Sequence, residues 1–152
     1  MTIQEALQFA AAVGSLATAL ALVIGIWQIT LTRKQALTDF EDDLDREYRN
    51  IIADLPVKAM LGSDLSEDEF AVSLPALYRY VDFSNKQVFL RQMRRVSKRT
   101  WAFWRDGIQS NLSRSPFRRA WEQIKAEAQP SFSELRRLED SGFKSDPGRW
   151  HK

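Results

Sequence analysis

Phe9–Leu31 reads FAAAVGSLATALALVIGIWQITL, 23 residues without a charged side chain. A bilayer core is crossed by about 20 apolar residues in a helix. The polar members are Ser15, Thr18, Gln28 and Thr30. Serine and threonine can bond back to their own helix, while Gln28, Thr30 and Trp27 fall at the end, where headgroups begin. A cleaved signal peptide has a basic leader and a shorter apolar run of about 7–15 residues. The leader here is MTIQEALQ, with Glu5 and no lysine or arginine. A buried soluble helix would be shorter and carry a polar face. The stretch therefore predicts a membrane span.

Working outward, Arg33 and Lys34 follow the span and nothing basic precedes it. Basic flanks stay cytoplasmic, which orients the N-terminus outward and the rest of the chain inward. The expected location is the inner (plasma) membrane, single-pass, with a cytoplasmic C-terminal domain. Within the span Ala10, Gly14, Ala17, Ala21 and Gly25 are spaced four, three, four and four. Small residues along one stripe let helix backbones approach closely in lipid. The alternative is that alanine and glycine are simply common in spans.

Beyond the membrane Leu37, Phe40, Leu44, Tyr48, Ile51 and Leu55 recur at helical steps among acidic residues, until Pro56. This predicts an acidic stalk helix, either continuous with the span or broken near Thr38-Asp39. Ser66 and Glu69 have capping-box spacing and predict a short helix over 67–72. Pro75 then suits the first turn of a helix over 75–95. Leu77, Tyr80, Val81, Ser84, Val88 and Arg91 fall on one face, with Phe83, Phe89, Leu90 and Met93 widening the apolar surface. Ser97 caps a helix carrying Trp101, Trp104, Ile108 and Leu112. Ser115-Pro116 opens another with Phe117, Ala120, Trp121 and Ile124. Ser131 and Glu134 again have capping-box spacing, with Phe132, Leu135 and Leu138 as the buried stripe. The tail from Ser141 reads as irregular, with Phe143 and Trp150 available to dock. No segment alternates as a strand. The expected fold is all-α: one N-terminal transmembrane helix followed by a small cytoplasmic helical bundle. The divisions are an anchor over 1–34, an acidic stalk over 35–56, a helical domain over 57–140 and a tail over 141–152.

The chain has 152 residues, 44% apolar and 28% charged, which excludes wholesale disorder. It has no cysteine, so disulfide and thiolate chemistry are excluded. The net charge of +2 hides a polarity. Residues 33–71 hold 5 basic and 11 acidic side chains, a net of −6, and residues 72–122 hold 11 and 3, a net of +8. Three readings compete: acidic stalk and basic helices complementing each other, basic side chains facing anionic inner-leaflet lipid, and an acidic partner. The anionic-partner patch is Arg91, Arg94, Arg95, Lys98, Arg99, Arg118 and Arg119. Nucleic acid is disfavoured, because the aromatic spacing is helical and core-like.

Chemistry is sparse. The one histidine, His151, stands next to the C-terminus. No cysteine–histidine cluster, glycine-rich phosphate loop or nucleophile elbow is present, so no catalytic residue, metal site or cofactor is expected. Asp39, Asp42, Asp43 and Asp45 lack the loop glycine and terminal glutamate of a calcium loop. Two polar sets, Tyr78, Arg79, Tyr80, Asp82, Asn85 and Lys86, and Trp101, Trp104, Arg105 and Asp106, read as structural networks around buried aromatics, with a binding groove as the alternative. With IGIWQITLTRKQAL, LYRYVDFSNKQVFL and SPFRRAWEQI laid out, the chain resembles a loose group of uncharacterised bacterial single-pass membrane proteins with a small cytoplasmic helical domain. That resemblance implies an architecture and carries over no catalytic residue. The expected partners are membrane lipid and either a protein partner or further copies of the chain. The function expected is a non-enzymatic accessory subunit or scaffold, or else a homo-oligomeric membrane effector.

Overall fold

The computed structural model describes residues 2–150. The fold is all-α, with six α-helices, one 3-10 turn and no strand among the described residues. The chain divides into two units, residues 1–42 and 43–152.

The first unit lies on α1, Ile3–Ala53, which opens where Thr2 and Glu5 exchange backbone-to-side-chain hydrogen bonds. This is a reciprocal cap of the helix's free N–H groups. The helix runs without interruption through Thr38-Asp39. The Thr18 hydroxyl donates to the Gly14 carbonyl and that of Thr30 to the Ile26 carbonyl, each at 2.9 Å, so these polar atoms are satisfied within the helix. Among the described residues α1 is the one helix long and apolar enough, by length and composition, to cross a membrane.

The second unit begins with the end of α1. Leu44 and Ile51 are buried there, whereas Leu37, two steps before Leu44 on the expected face and within the first unit, is exposed. A single turn follows, α2, Val57–Met60, where the sequence suggested an irregular stretch. Then comes α3, Glu67–Gln92, the central helix of this unit. Against it pack α4, Lys98–Ser113; α5, Ser115–Glu127; and α6, Ser133–Asp140. The 3-10 turn Pro147–Arg149 also docks on α3. The core is aromatic: Tyr80, Phe83, Trp101, Trp104, Phe117 and Trp121 are all buried.

The expected break at Pro75 is absent. Residues 67–92 form one helix with Pro75 inside it. An internal proline costs about 3 kcal/mol through a lost hydrogen bond and a steric clash. Burial continues across it on one face, from Phe70 and Ser73 to Ala76, Leu77 and Tyr80. At about 1.5–3 kcal/mol per large apolar side chain, that burial outweighs the proline. The capping box at the start forms as expected, with Ser66 and Glu69 bonded reciprocally. Lys58 adds two bonds to the Glu69 carboxylate and, with the Ser66 backbone, holds its pKa below the usual carboxylate value. Phe89 and Met93, expected to widen the apolar surface, remain 44% exposed.

The helix ends are closed by one repeated geometry. After α2, α3 and α6, the second residue past the cap donates back to the third-last helical carbonyl: Ser63 to Lys58, Arg95 to Leu90, Phe143 to Leu138. The residue before it takes positive φ in each case. Gly62 and Gly142 fill that position twice; after α3 it is Arg94, at φ 57°. Arginine there carries the Cβ strain that glycine avoids.

α6 starts differently from its sequence pattern. Its N-cap is Phe132, at φ 62°, with no side-chain cap, and Ser131 and Glu134 form no capping box. The Leu135 N–H is instead accepted by Asn85 Oδ1 on α3 at 2.9 Å, and Asn85 Nδ2 donates to Glu134 at 3.2 Å. The physical reason is burial. Phe132 turns its ring inward, edge-on to Tyr78 and Trp121 at 5.7 and 6.2 Å, which moves Ser131 out of capping position. At α5 the cap is Arg114, one residue before the expected Ser115.

Candidate functional site

Three surfaces concern function. The first is the small-residue stripe of α1. At 100° per residue its five positions span about 80° of the helix circumference. Ala21 is exposed, and a Cβ added at Gly14 or Gly25 would meet nothing within 4 Å. The side chains of Ala10 and Ala17 lie outside the described residues. Around the stripe, Leu20, Leu22, Val23, Ile24, Ile26, Trp27 and Ile29 are each more than half exposed.

The second is the basic set, which the structure divides. Arg91 leaves it: the side chain is 12% exposed and grips Asp146 with two nitrogens, each at 2.8 Å, while its third donates to the Val96 carbonyl. The pair raises the Arg91 pKa and lowers that of Asp146, chiefly through these hydrogen bonds. Arg91 thus staples the C-terminal tail to α3. Arg119 is taken up too, paired with Glu67 and lying 3.9 Å over the Phe70 ring. Arg94, Arg95, Lys98 and Arg99 remain exposed at the turn from α3 to α4, and Arg118 on α5; none of the five has an ion pair among the described residues. Arg94 makes one bond, to the Gly148 carbonyl at 3.2 Å. Exposed Met93 and Phe103 stand on the same stretch of chain. Elsewhere the stalk acids do complement α3, as Glu47 pairs with Lys86 at 2.7 Å and Asp54 pairs with Arg79.

The third surface brings together Tyr80 and Trp104, one from each of the two polar sets. A cleft of about 130 Å³ lies between the end of α1, α3 and α4. Its polar part is a relay. Arg114 Nη1 donates to Asn111 Oδ1 at 2.7 Å, which fixes the amide so that Nδ2 donates to the Tyr80 hydroxyl at 3.0 Å and, at 3.5 Å, to that of Tyr48. Burial pushes the Tyr80 phenol up to about 12, so it stays protonated at physiological pH. Asn111 and Gln87 were not singled out by sequence, because they come together only when α3 and α4 pack.

Trp101, expected to join a polar network, finds no partner for its indole nitrogen among the described residues. The indole nitrogens of Trp101 and Trp121 are both buried with no hydrogen-bond partner there, and the Trp121 ring is met by Phe132 edge-on and by the cations of Lys125 and Arg136. Asp39, Asp42, Asp43 and Asp45 all stand on helix α1. Among the described residues no three histidine, cysteine or acidic side chains are placed to hold a metal ion. His151 lies outside those residues. No protein-family model, curated protein or solved structure matches this chain.

Proposed function

We propose that this chain is a membrane-anchored, non-enzymatic interaction module. It serves as an accessory subunit or scaffold at the inner face of the plasma membrane. One observation carries the reading: the described apolar side chains of α1 from Val13 to Leu31 are exposed, in a chain whose second unit has a core of its own. Nine Leu, Ile and Val residues between Val13 and Leu31 favour lipid by roughly 0.3–0.6 kcal/mol each, about 3–5 kcal/mol together. An exposed apolar surface of this extent belongs in a membrane or against a partner. Arg33 and Lys34 orient the domain to the cytoplasm, where the unpaired cations around Arg95 face anionic lipid headgroups or an acidic partner.

A second reading is a homo-oligomeric effector assembled through its spans. The open space over Gly14 and Gly25 favours it, since a neighbouring helix could approach both. Native mass spectrometry of the chain extracted in mild detergent from its own membranes separates the two. A stoichiometric foreign protein supports the accessory subunit. A discrete homo-oligomer, lost on Gly14→Leu with Gly25→Leu, supports the effector. A bare monomer counts against both.

A further inference from the structure

We infer that the cleft between the end of α1, α3 and α4 is a binding site for a small organic cation carrying one ring. Four aromatic side chains wall it: Tyr48, Tyr80, Phe103 and Trp104. Ring faces carry negative quadrupole charge and attract ammonium and amidinium groups. The lining has one charged residue, and it is the carboxylate of Asp45. No lysine or arginine lines the cleft, in a chain with 22 of them. Arg114 bonds Asn111 Oδ1 but is not part of the lining.

Two groups in the cleft are unused by the protein. Gln87 is 7% exposed, yet its side-chain amide makes no hydrogen bond among the described residues. Its amide atoms are not among the buried unpartnered ones, so they reach solvent in the cleft, where a ligand's polar group can meet them. Asp45 likewise has neither ion pair nor hydrogen bond among the described residues. The cleft also has a doorway. Gly107 contributes no side chain, a Cβ there would meet nothing within 4 Å, and Phe103, one turn earlier on α4, is 77% exposed. The volume of about 130 Å³ is near that of a cavity known to admit benzene, which sets the limit at a single ring.

The test uses the full chain in neutral detergent, with Trp104 in the cleft as a fluorescence reporter and ligand-observed NMR as a second readout. The probes are benzylammonium, neutral benzyl alcohol and anionic benzoate. Benzylammonium should bind saturably, about tenfold more tightly than benzoate, and Asp45→Asn should remove most of that preference. Gly107→Leu should abolish binding, because the new side chain grows into the doorway. Its circular dichroism should match the parent's, since nothing lies within 4 Å to be displaced. Equal binding of all three probes, binding that survives Gly107→Leu, or no saturable binding of benzylammonium would each overturn the inference. None of these outcomes depends on how the first unit is anchored.

Discussion

Replacing Asn85 with alanine tests how α6 is held. The Asn85 side chain accepts the Leu135 N–H at 2.9 Å and donates to Glu134 at 3.2 Å. α6 has no side-chain cap of its own, so this residue of α3 does the capping. Losing a cap costs about 1 kcal/mol, and the bond to the carboxylate adds about as much in a half-buried setting, for a loss of about 2 kcal/mol. Detachment of α6 would cost more. It would expose Leu135 and Leu138, both fully buried, and Phe132, at about 1.5–3 kcal/mol each. Burial wins, so the variant keeps its helix content and loses only stability. Urea unfolding of the full chain in mild detergent, followed by tryptophan fluorescence, should show a loss of about 2 kcal/mol. Asn85→Asp keeps the acceptor for Leu135 but sets a carboxylate against Glu134, and a second change, Glu134→Gln, should recover part of that loss. A change under about 0.5 kcal/mol for Asn85→Ala would refute the capping role, because a lost cap alone exceeds it.

Other perturbations weigh competing terms. Arg94→Gly removes positive-φ strain at the close of α3 and gives up one exposed bond to the Gly148 carbonyl, so stability should rise by about 0.5–1 kcal/mol in the same assay. Phe132→Gly relieves comparable strain but empties a buried ring site; cavity costs of about 3–5 kcal/mol dominate, and the net should be a loss of about 2–3 kcal/mol. Asp146 has its pKa lowered by Arg91, so its contribution is complete above the ordinary carboxyl value of 3.8 and is lost as pH falls below that through the folded pKa. Acid titration of Asp146→Asn should therefore show a smaller stability loss than the parent below pH 3.8, and unchanged acid sensitivity would count against the staple.

Much of the helical layout was legible because burial in this unit follows helical period. Trp101, Trp104, Ile108 and Leu112 stand at three and four steps, and all are buried. Ser66 and Ser97 cap the helices they were expected to cap. The failures occur where distant residues override local grammar. Pro75 reads as a helix start, yet burial of Leu77 and Tyr80 carries the helix through it. Ser131 and Glu134 have the spacing of a capping box, yet the Phe132 ring and Asn85 claim those positions. Arg91 was read with the surface cations because its partner, Asp146, is 55 residues away. Nothing in the spacing of Gln87 and Asn111 marks the cleft, since α1, α3 and α4 each bring one part of it.

The central claim is that α1 crosses a membrane with the domain inside. Because the chain has no cysteine, single-cysteine variants report topology cleanly. Thr2→Cys and Lys144→Cys, both at exposed positions, would be treated in intact cells with a membrane-impermeant maleimide. The account predicts labelling of Thr2→Cys from outside, and of Lys144→Cys only after lysis, with the protein retained in membranes after alkaline carbonate washing. Release into the carbonate supernatant, or labelling of Lys144→Cys in intact cells, would contradict it.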